Sequence, residues 1–344
     1  MMKKLLFLLP AAALFTYACS NDFEVSAPWK EIPAVYAILS PKDTAHYIRV
    51  EKAFLDPETS ALQVAQIADS LYYPENAIQV YLERVKTGKR LPMHRVDGNL
   101  EGYVRTGGIF ATQPNWLYKF KPAPPADSIF EGETYRFVLV RNDGRPDVTA
   151  ETTVPAKLQI REPNPLDIPP AIDFKSGTST NITWTTDVNG VFFAVHFRIR
   201  YRDEYPNGSI IRDTLNWTPV PNVKRSENPS GTFYKGTGVI TAESFYNFLT
   251  QNIPAANDRV RYFDGIDITV EGGGGEIERY LETATANSGL TGAEVIPTYT
   301  NLSEGFGLFT AKTTTSLGKI RVTKQTIEDM NSKSPTKDLN FRFF

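Results

Sequence analysis

The chain has one cysteine, Cys19, in 344 residues, and three histidines, His46, His94 and His196. A single thiol excludes an internal disulfide, so the fold must rest on hydrophobic cores rather than covalent staples. Each histidine lies in a separate strand candidate, with no second His or Cys at ligand spacing, so no zinc site is expected. There is no Gly-x-Ser-x-Gly elbow. The run Gly272-Gly273-Gly274-Gly275 is not followed by Lys-Ser/Thr, so it is not a phosphate-binding loop. Acidic pairs such as Asp264 and Asp267, or Asp203 and Glu204, are far more often solvated charge than acid–base machinery. Asp264 to Asp267 also lacks the carboxylate density of a calcium loop. The sequence therefore gives no catalytic residue, no metal ligand and no cofactor to expect, and the reading is non-enzymatic. Formal net charge is −2 with both signs interspersed. No basic block is present to hold a nucleic acid by its phosphates.

What is present starts at the N-terminus. Met1-Met2-Lys3-Lys4 is a positive n-region, Leu5 to Phe15 is apolar throughout, and Ala18 supplies the small residue before a cut. The apolar run falls short of the ~20 residues that cross a bilayer, so residues 1–18 read as a signal peptide. Loss of Lys3 and Lys4 with it moves the formal charge from −2 to −4. Cys19 at the cleavage point reads as a lipid acceptor. Acyl chains contribute about 0.8 kcal/mol per buried CH₂, and two or more hold a soluble body stably on a membrane. The following Ser20, Asn21, Asp22, Phe23 and Glu24 resemble the acidic export signal of surface lipoproteins of Bacteroidota, although Thr16 stands where a lipobox usually has Leu. That resemblance implies a lipid-anchored protein of the outer membrane, exposed at the cell surface.

Beyond a lipidated tether at 19–33, the chain alternates strands and turns with little helix, as in antiparallel sandwiches. Residues 34–157 are expected as one β-sandwich. Its strands fall at Ala34–Leu39, His46–Lys52, Ala77–Val85, Leu91–Val96, Trp116–Phe120, Thr134–Val140 and Val148–Val154. Ser60 and Gln63 suit a capping box for one helix burying Leu62, Val64, Ile67, Ala68 and Leu71. Residues 158–171 form a Pro-rich linker. Residues 172–344 are expected as a second sandwich with a helical insertion. Asn181-Ile182-Thr183-Trp184 resembles an early fibronectin type III strand. In Val191 to Tyr201 the apolar residues Phe193, Val195, Phe197, Ile199 and Tyr201 alternate with Arg198 and Arg200. Ser209 to Trp217 is its hairpin partner. Thr241 should cap a helix that buries Phe245, Phe248 and Leu249 and stops before Pro254. Gly272 to Gly275 reads as a mobile loop tip. The fold class is thus mainly β, with two Ig or fibronectin III-like modules that each carry a short helix.

Aromatic residues are the better candidates for contact. Trp184 reads as core. Trp29 in the tether and Trp217 before Pro219 are freer, and either could meet a sugar ring or a partner. Gly305 and Gly307 permit close backbone approach around Phe306, so Phe306 and Phe309 are candidates too, with a bulged closing strand the simpler reading.

Thr300-Asn301-Leu302-Ser303-Glu304-Gly305-Phe306-Gly307-Leu308-Phe309-Thr310-Ala311 resembles the closing segment of an uncharacterised family of Bacteroidota surface lipoproteins. Glu131-Gly132-Glu133-Thr134-Tyr135 and Thr152-Thr153-Val154-Pro155 resemble that family's first module. The resemblance implies an exported lipoprotein encoded near TonB-dependent receptors, hence an outer-membrane protein partner; it implies no chemistry. Four tripeptides, Asp43-Thr44-Ala45, Asp69-Ser70-Leu71, Asp127-Ser128-Ile129 and Asp213-Thr214-Leu215, also resemble the O-glycosylation sites of that phylum. The expected function is a binding or accessory subunit of an envelope complex. The alternatives are a glycan-binding lipoprotein for nutrient uptake and, behind it, a glycan hydrolase.

Overall fold

The computed structural model describes residues 31–53, 61–287 and 299–343. The signal segment, Cys19, Ser20, Asn21, Asp22, Phe23, Glu24 and Trp29 lie outside the described residues.

The chain is mainly β. Strands β1 (Ile32–Leu39) and β2 (His46–Ala53) make the expected hairpin, with Val35, Leu39, Ile48 and Val50 inside and Tyr47 and Arg49 on the outer face. Two short helices follow, α1 (Ala61–Ala65) and α2 (Ala68–Leu71). Then come β3 (Ile78–Arg84), β4 (Lys89–Pro92), β5 (His94–Asp97), β6 (Trp116–Phe120), β7 (Thr134–Arg141) and β8 (Val148–Thr153). Strands β4-β3-β7-β8 form one sheet, while β1, β2, β6 and β5 belong to a second. The two share a core in which Val80, Leu82 and Phe137 meet Val35, Ile48 and Phe120. Alternation of period two is what allows this, because each strand offers one apolar face to the gap.

The second half builds a similar arrangement. Strands β9 (Gln159–Glu162), β10 (Ala171–Ile172), β11 (Ser179–Thr186), β12 (Phe192–Glu204), β13 (Ile210–Lys224) and β14 (Tyr234–Thr241) lead to helix α3 (Ala242–Asn252). Next are β15 (Val260–Gly273), helix α4 (Gly275–Asn287), the 17-residue β16 (Phe306–Val322), helix α5 (Lys324–Ser332), a 3₁₀ turn at Thr336–Leu339 and β17 (Phe341–Arg342). Strands β14-β11-β9 cover Phe193, Val195, Ile268 and Val270 through Ile182, Trp184 and Ile240. Thr241 caps α3 as expected by accepting the Ser244 N–H at 3.1 Å, and Phe245 and Leu249 are fully buried beneath it.

One strand joins the halves. The start of β16 pairs in parallel with β1, from Ala34–Phe306 to Leu39–Ala311, and its middle pairs antiparallel with β15. A single sheet therefore runs β13-β12-β15-β16-β1-β2-β6-β5. Phe309 and Ala311 sit in the first core, and Ile320 and Val322 in the second. Gly305 and Gly307, at φ of +108° and +119°, make this approach possible. A Cβ at Gly307 would lie 1.9 Å from the Val35 carbonyl oxygen, and one at Gly305 2.2 Å from that of Pro33.

Several expectations change. The single helix over residues 60–71 is two short ones, and Leu62 and Ile67 face outward rather than into the core. Leu91–Val96 is not one strand: at Met93 the chain passes from one sheet to the other, so β4 pairs with β3 and β5 with β6. Gln159–Glu162, expected within the linker, is a strand of the second half. Residues 302–311, expected in the second module, close the first core. Gly272 to Gly274 are buried at the end of β15 rather than at a mobile tip. Their missing side chains make room for Phe193 and Ile277, which added Cβ atoms would meet at 2.5 and 2.4 Å. Strand β13 runs on through Pro219 and Pro221 to Lys224, which its place at the edge of the sheet and the irregular pairing there tolerate.

Candidate functional site

The structure separates the aromatic candidates. Phe309 is fully buried and stands 6.0 Å from Phe137 between the two sheets, so it is core, not a contact residue. Trp217 packs edge-on against Phe197 and flat against Phe248 at 4.9 Å, sealing the rim of the second core. Phe306 alone of the described candidates is exposed, at 41%. Asn301 fixes the segment before it: its side chain accepts the Phe309 N–H at 3.0 Å and donates to the Phe309 carbonyl at 2.7 Å. Residues 306–311 thus pair with β1 in regular register, without the bulge expected there, and the candidates do not converge. Of the four tripeptide hydroxyls, that of Thr44 belongs to an exposed residue, whereas Ser70, Ser128 and Thr214 are half-buried.

A different surface brings groups together. Strands β5 and β6 are antiparallel neighbours, yet residues 98–115 separate them. Hairpin connections usually take 2–5 residues, and loops beyond about 12–15 residues without their own secondary structure are usually functional or disordered. This loop is bonded internally. Asp97 Oδ1 accepts the N–H groups of Asn99 and Asn115 at 3.0 and 3.1 Å. Asn99 donates to the Thr112 carbonyl at 3.0 Å and accepts the Arg105 N–H at 3.0 Å. Asn115, fully buried, donates to the Tyr103 carbonyl at 2.7 Å. Gly98 has no room for a side chain, since a Cβ would meet Leu117 at 2.7 Å.

Charged groups tie the loop to the sheet. Arg105 donates to Glu51 at 2.6 Å and to the Tyr72 hydroxyl at 3.0 Å. Glu101 accepts from Tyr47 at 2.9 Å and also from Lys119, and these donors hold its carboxyl below the usual glutamate range. Helix α1 docks alongside: Gln66 donates to the Ile109 carbonyl at 2.6 Å, and Ala111 N–H to the Ala65 carbonyl at 2.8 Å.

On this braced scaffold the chain displays Leu62, Ile67, Leu100, Tyr103, Val104 and Ile109, each more than half exposed. Apolar side chains scattered singly need no explanation, whereas these six are concentrated on one braced loop and the two short helices beside it. Beside it lies a cleft of about 700 Å³ with walls from Tyr72, Tyr73 and Trp116 and with Asp69 and Glu75 at its edge. Arg95 stands over the Trp116 ring at 4.4 Å and donates to the Tyr73 carbonyl at 3.1 Å, so one ring face is already occupied. Trp116 opens a strand that the sequence discloses. The loop is not disclosed, because residues 98–115 show neither helical nor strand periodicity; its length between two strands is the signal that finds it. Among the described residues no group of three or more His, Cys, Asp or Glu is placed to hold a metal ion, and no helix is long and apolar enough to cross a membrane.

No protein-family model matches the chain, and no curated protein matches it.

Proposed function

We propose that this chain is a non-enzymatic, lipid-anchored binding protein of the outer membrane. It is exposed at the cell surface and acts as an accessory subunit of an envelope complex such as a TonB-dependent transporter. The observation that carries the reading is the braced loop 98–115, whose apolar side chains are held exposed rather than buried. A pre-ordered loop loses little entropy on docking, which favours binding through a modest interface. Cys19 after the signal segment supplies the anchor, and confinement to a membrane raises the effective concentration of neighbours there.

The body is read as two Ig or fibronectin III-like sandwiches. Support comes from Tyr135, fully buried near the start of β7, whose hydroxyl accepts the Phe130 N–H at 3.0 Å and donates to the Ser128 carbonyl at 3.3 Å. A tyrosine bonded back to the chain just upstream is a feature of such sandwiches. Trp184, fully buried against Phe193, fits the same architecture.

The test is a crosslinked pull-down from intact source cells of the wild type, of Val104→Asp/Ile109→Asp and of Cys19→Ala. Recovery of an outer-membrane receptor with the wild type and its loss with the double variant are expected, together with release of Cys19→Ala from membranes. Recovery of no envelope protein, or equal recovery with the double variant, overturns the reading. The glycan alternative rests on the Trp116 cleft; because Trp217 is packed in the core rim, its test is glycan binding lost on Trp116→Ala.

A further inference from the structure

Strand β12 points Phe197, Ile199 and Tyr201 into the second core and carries Arg198, Arg200 and Arg202 on its outer face. The two strands beyond it are both bulged at this level. On β15, Asp264 is an extra residue between the pairs Arg200–Gly265 and Tyr201–Phe263. On β16, Gly318 and Lys319 together stand opposite Asp267. Lys319 is held at φ +57°, an uncommon conformation for a residue with a side chain. Bulges of this kind re-aim side chains and concentrate beside functional sites.

Asp267 organises the floor. It accepts from both terminal nitrogens of Arg200, one of them at 2.9 Å, and takes the Lys319 N–H at 3.0 Å. Burial raises its pKa, but Arg200 and the Lys319 N–H more than reverse this, and the carboxyl lies below the usual aspartate range. Asp264 is likewise paired with Arg202. Both acids are thus committed to the arginines of β12.

Around this floor opens a cleft of about 860 Å³, within the range of small-ligand sites. Five cations line it, Arg200, Arg202, Lys319, Arg321 and Arg342, against the two carboxylates Asp264 and Asp267. Lys319, Arg321 and Arg342 make no ion pair among the described residues and are exposed. A local excess of three positive charges in a chain of net charge −2 calls for a counter-charge. The remaining lining is apolar, including Phe263, Ile327 and the half-exposed Phe343, and Ile168 beside it is 98% exposed.

We propose that this cleft binds a phosphate monoester carried on an apolar body. A phosphate monoester brings a charge of about −1.5 to −2 and three acceptor oxygens, which suits a local excess of three cations better than the single charge of a carboxylate. Arg321 and Arg342 hold the phosphate, Lys319 adds a point charge, and Phe263 and Phe343 meet the apolar part. The ester is either a lipid headgroup or a soluble molecule.

The experiment uses the full mature chain carrying Cys19→Ala, so that no anchor contributes and failure of the lipid-anchor reading leaves the result untouched. Phenyl phosphate is titrated calorimetrically, and flotation is measured with phosphatidylcholine vesicles with and without phosphatidic acid. Arg321→Gln/Arg342→Gln is compared with Lys42→Gln/Lys121→Gln, two exposed lysines of the other half. Arg321 and Arg342 are exposed and make no side-chain hydrogen bond or ion pair among the described residues, so the double variant should melt like its parent. At about one phosphate contact per arginine, the groove variant should lose roughly thirtyfold in affinity while the control is unchanged. Binding of phenyl phosphate alone identifies a soluble ester; binding of phosphatidic acid vesicles alone identifies a lipid headgroup. No binding of either probe, or equal binding by the groove variant, overturns the proposal.

Discussion

Replacing Gly307 by Ala tests whether the approach of β16 to β1 holds the first core closed. The new Cβ would lie 1.9 Å from the Val35 carbonyl oxygen and 2.8 Å from its carbon. Carbon–oxygen contacts settle near 3.3 Å or more, so the strands must part by about 1.4 Å. Hydrogen bonds near 2.9 Å do not survive that displacement. At φ +119° the alanine also sits in a conformation that costs about 1–3 kcal/mol for any residue but glycine. Parting the strands loosens Phe309 and Ala311, both fully buried, and loss of a buried Phe from a core costs about 3–5 kcal/mol. The expected loss is therefore about 4–8 kcal/mol, set against a total of ~5–15 kcal/mol for a folded domain. Gly208→Ala is the control: its φ is +84°, yet nothing lies within 4 Å of the added Cβ, so it carries the backbone cost alone. Urea unfolding gives the two losses, and hydrogen exchange at residues 34–39 and 306–311 shows where the first one falls. Equal losses for the two variants would refute the steric argument.

Two further outcomes follow from buried groups. His46 is 2% exposed with neither ring nitrogen hydrogen-bonded, and burial lowers its pKa although the charge of Asp43 pulls partly the other way. The unfolded chain takes up the proton first, near pH 6.5, so stability is complete above that pH and falls below it by up to about 1.4 kcal/mol per pH unit until the folded value is reached. His46→Phe should remove this slope and add about 1 kcal/mol at neutral pH by deleting two unpaired buried nitrogens. Urea midpoints of both proteins at pH 7.5 and 5.5 check it; identical pH dependence would count against it. Arg261 is fully buried and donates to Asp203 at 2.6 Å and to the Pro254 and Leu339 carbonyls at 3.0 Å each. Asp203→Ala strands that charge and should cost about 3–5 kcal/mol, read as a lower melting temperature; an unchanged one would mean the pair carries no stability.

The parts of the fold that the sequence discloses are those where one strand face or one helix turn decides the matter. Phe193, Val195, Phe197, Ile199 and Tyr201 alternate because only one face of β12 is buried, and Thr241 announces α3 because its hydroxyl has one local job. Gly272 and Gly273 are the opposite case. A glycine run has the same composition at a mobile tip as at a buried crossing, and the side chain that decides, Phe193, is far away in sequence. The transfer of the chain at Met93 is hidden for the same reason, since the strand on either side keeps its alternation while its partner changes. Helix α5 has a local signature, Thr323 as its N-cap with Ile327 and Met330 buried behind it. Half of the cationic groove is visible in the sequence: alternation puts Arg200 and Arg202 on one face of β12, but the arrival of Lys319 beside them depends on a bulge in β16, which no local pattern states.

The shared strand also constrains how the molecule can use its two surfaces. A Pro-rich linker between separate modules would let them reorient, whereas an unbroken β16 ties β1 at one end to Arg321 at the other. At about 3.3 Å per residue, Phe306 and Arg321 are separated by up to roughly 50 Å along the strand. In the proposed anchored state the chain from Cys19 to Ile32 can reach at most about 45 Å at full extension. A phosphate taken from a headgroup of the anchoring membrane would therefore require the long sheet to tilt only until Ile32 lies within that reach, with Ile168 and Phe343 turned toward the membrane together with the groove. A soluble phosphate ester makes no such demand, and the molecule can then stand away from the surface with loop 98–115 free to meet a partner.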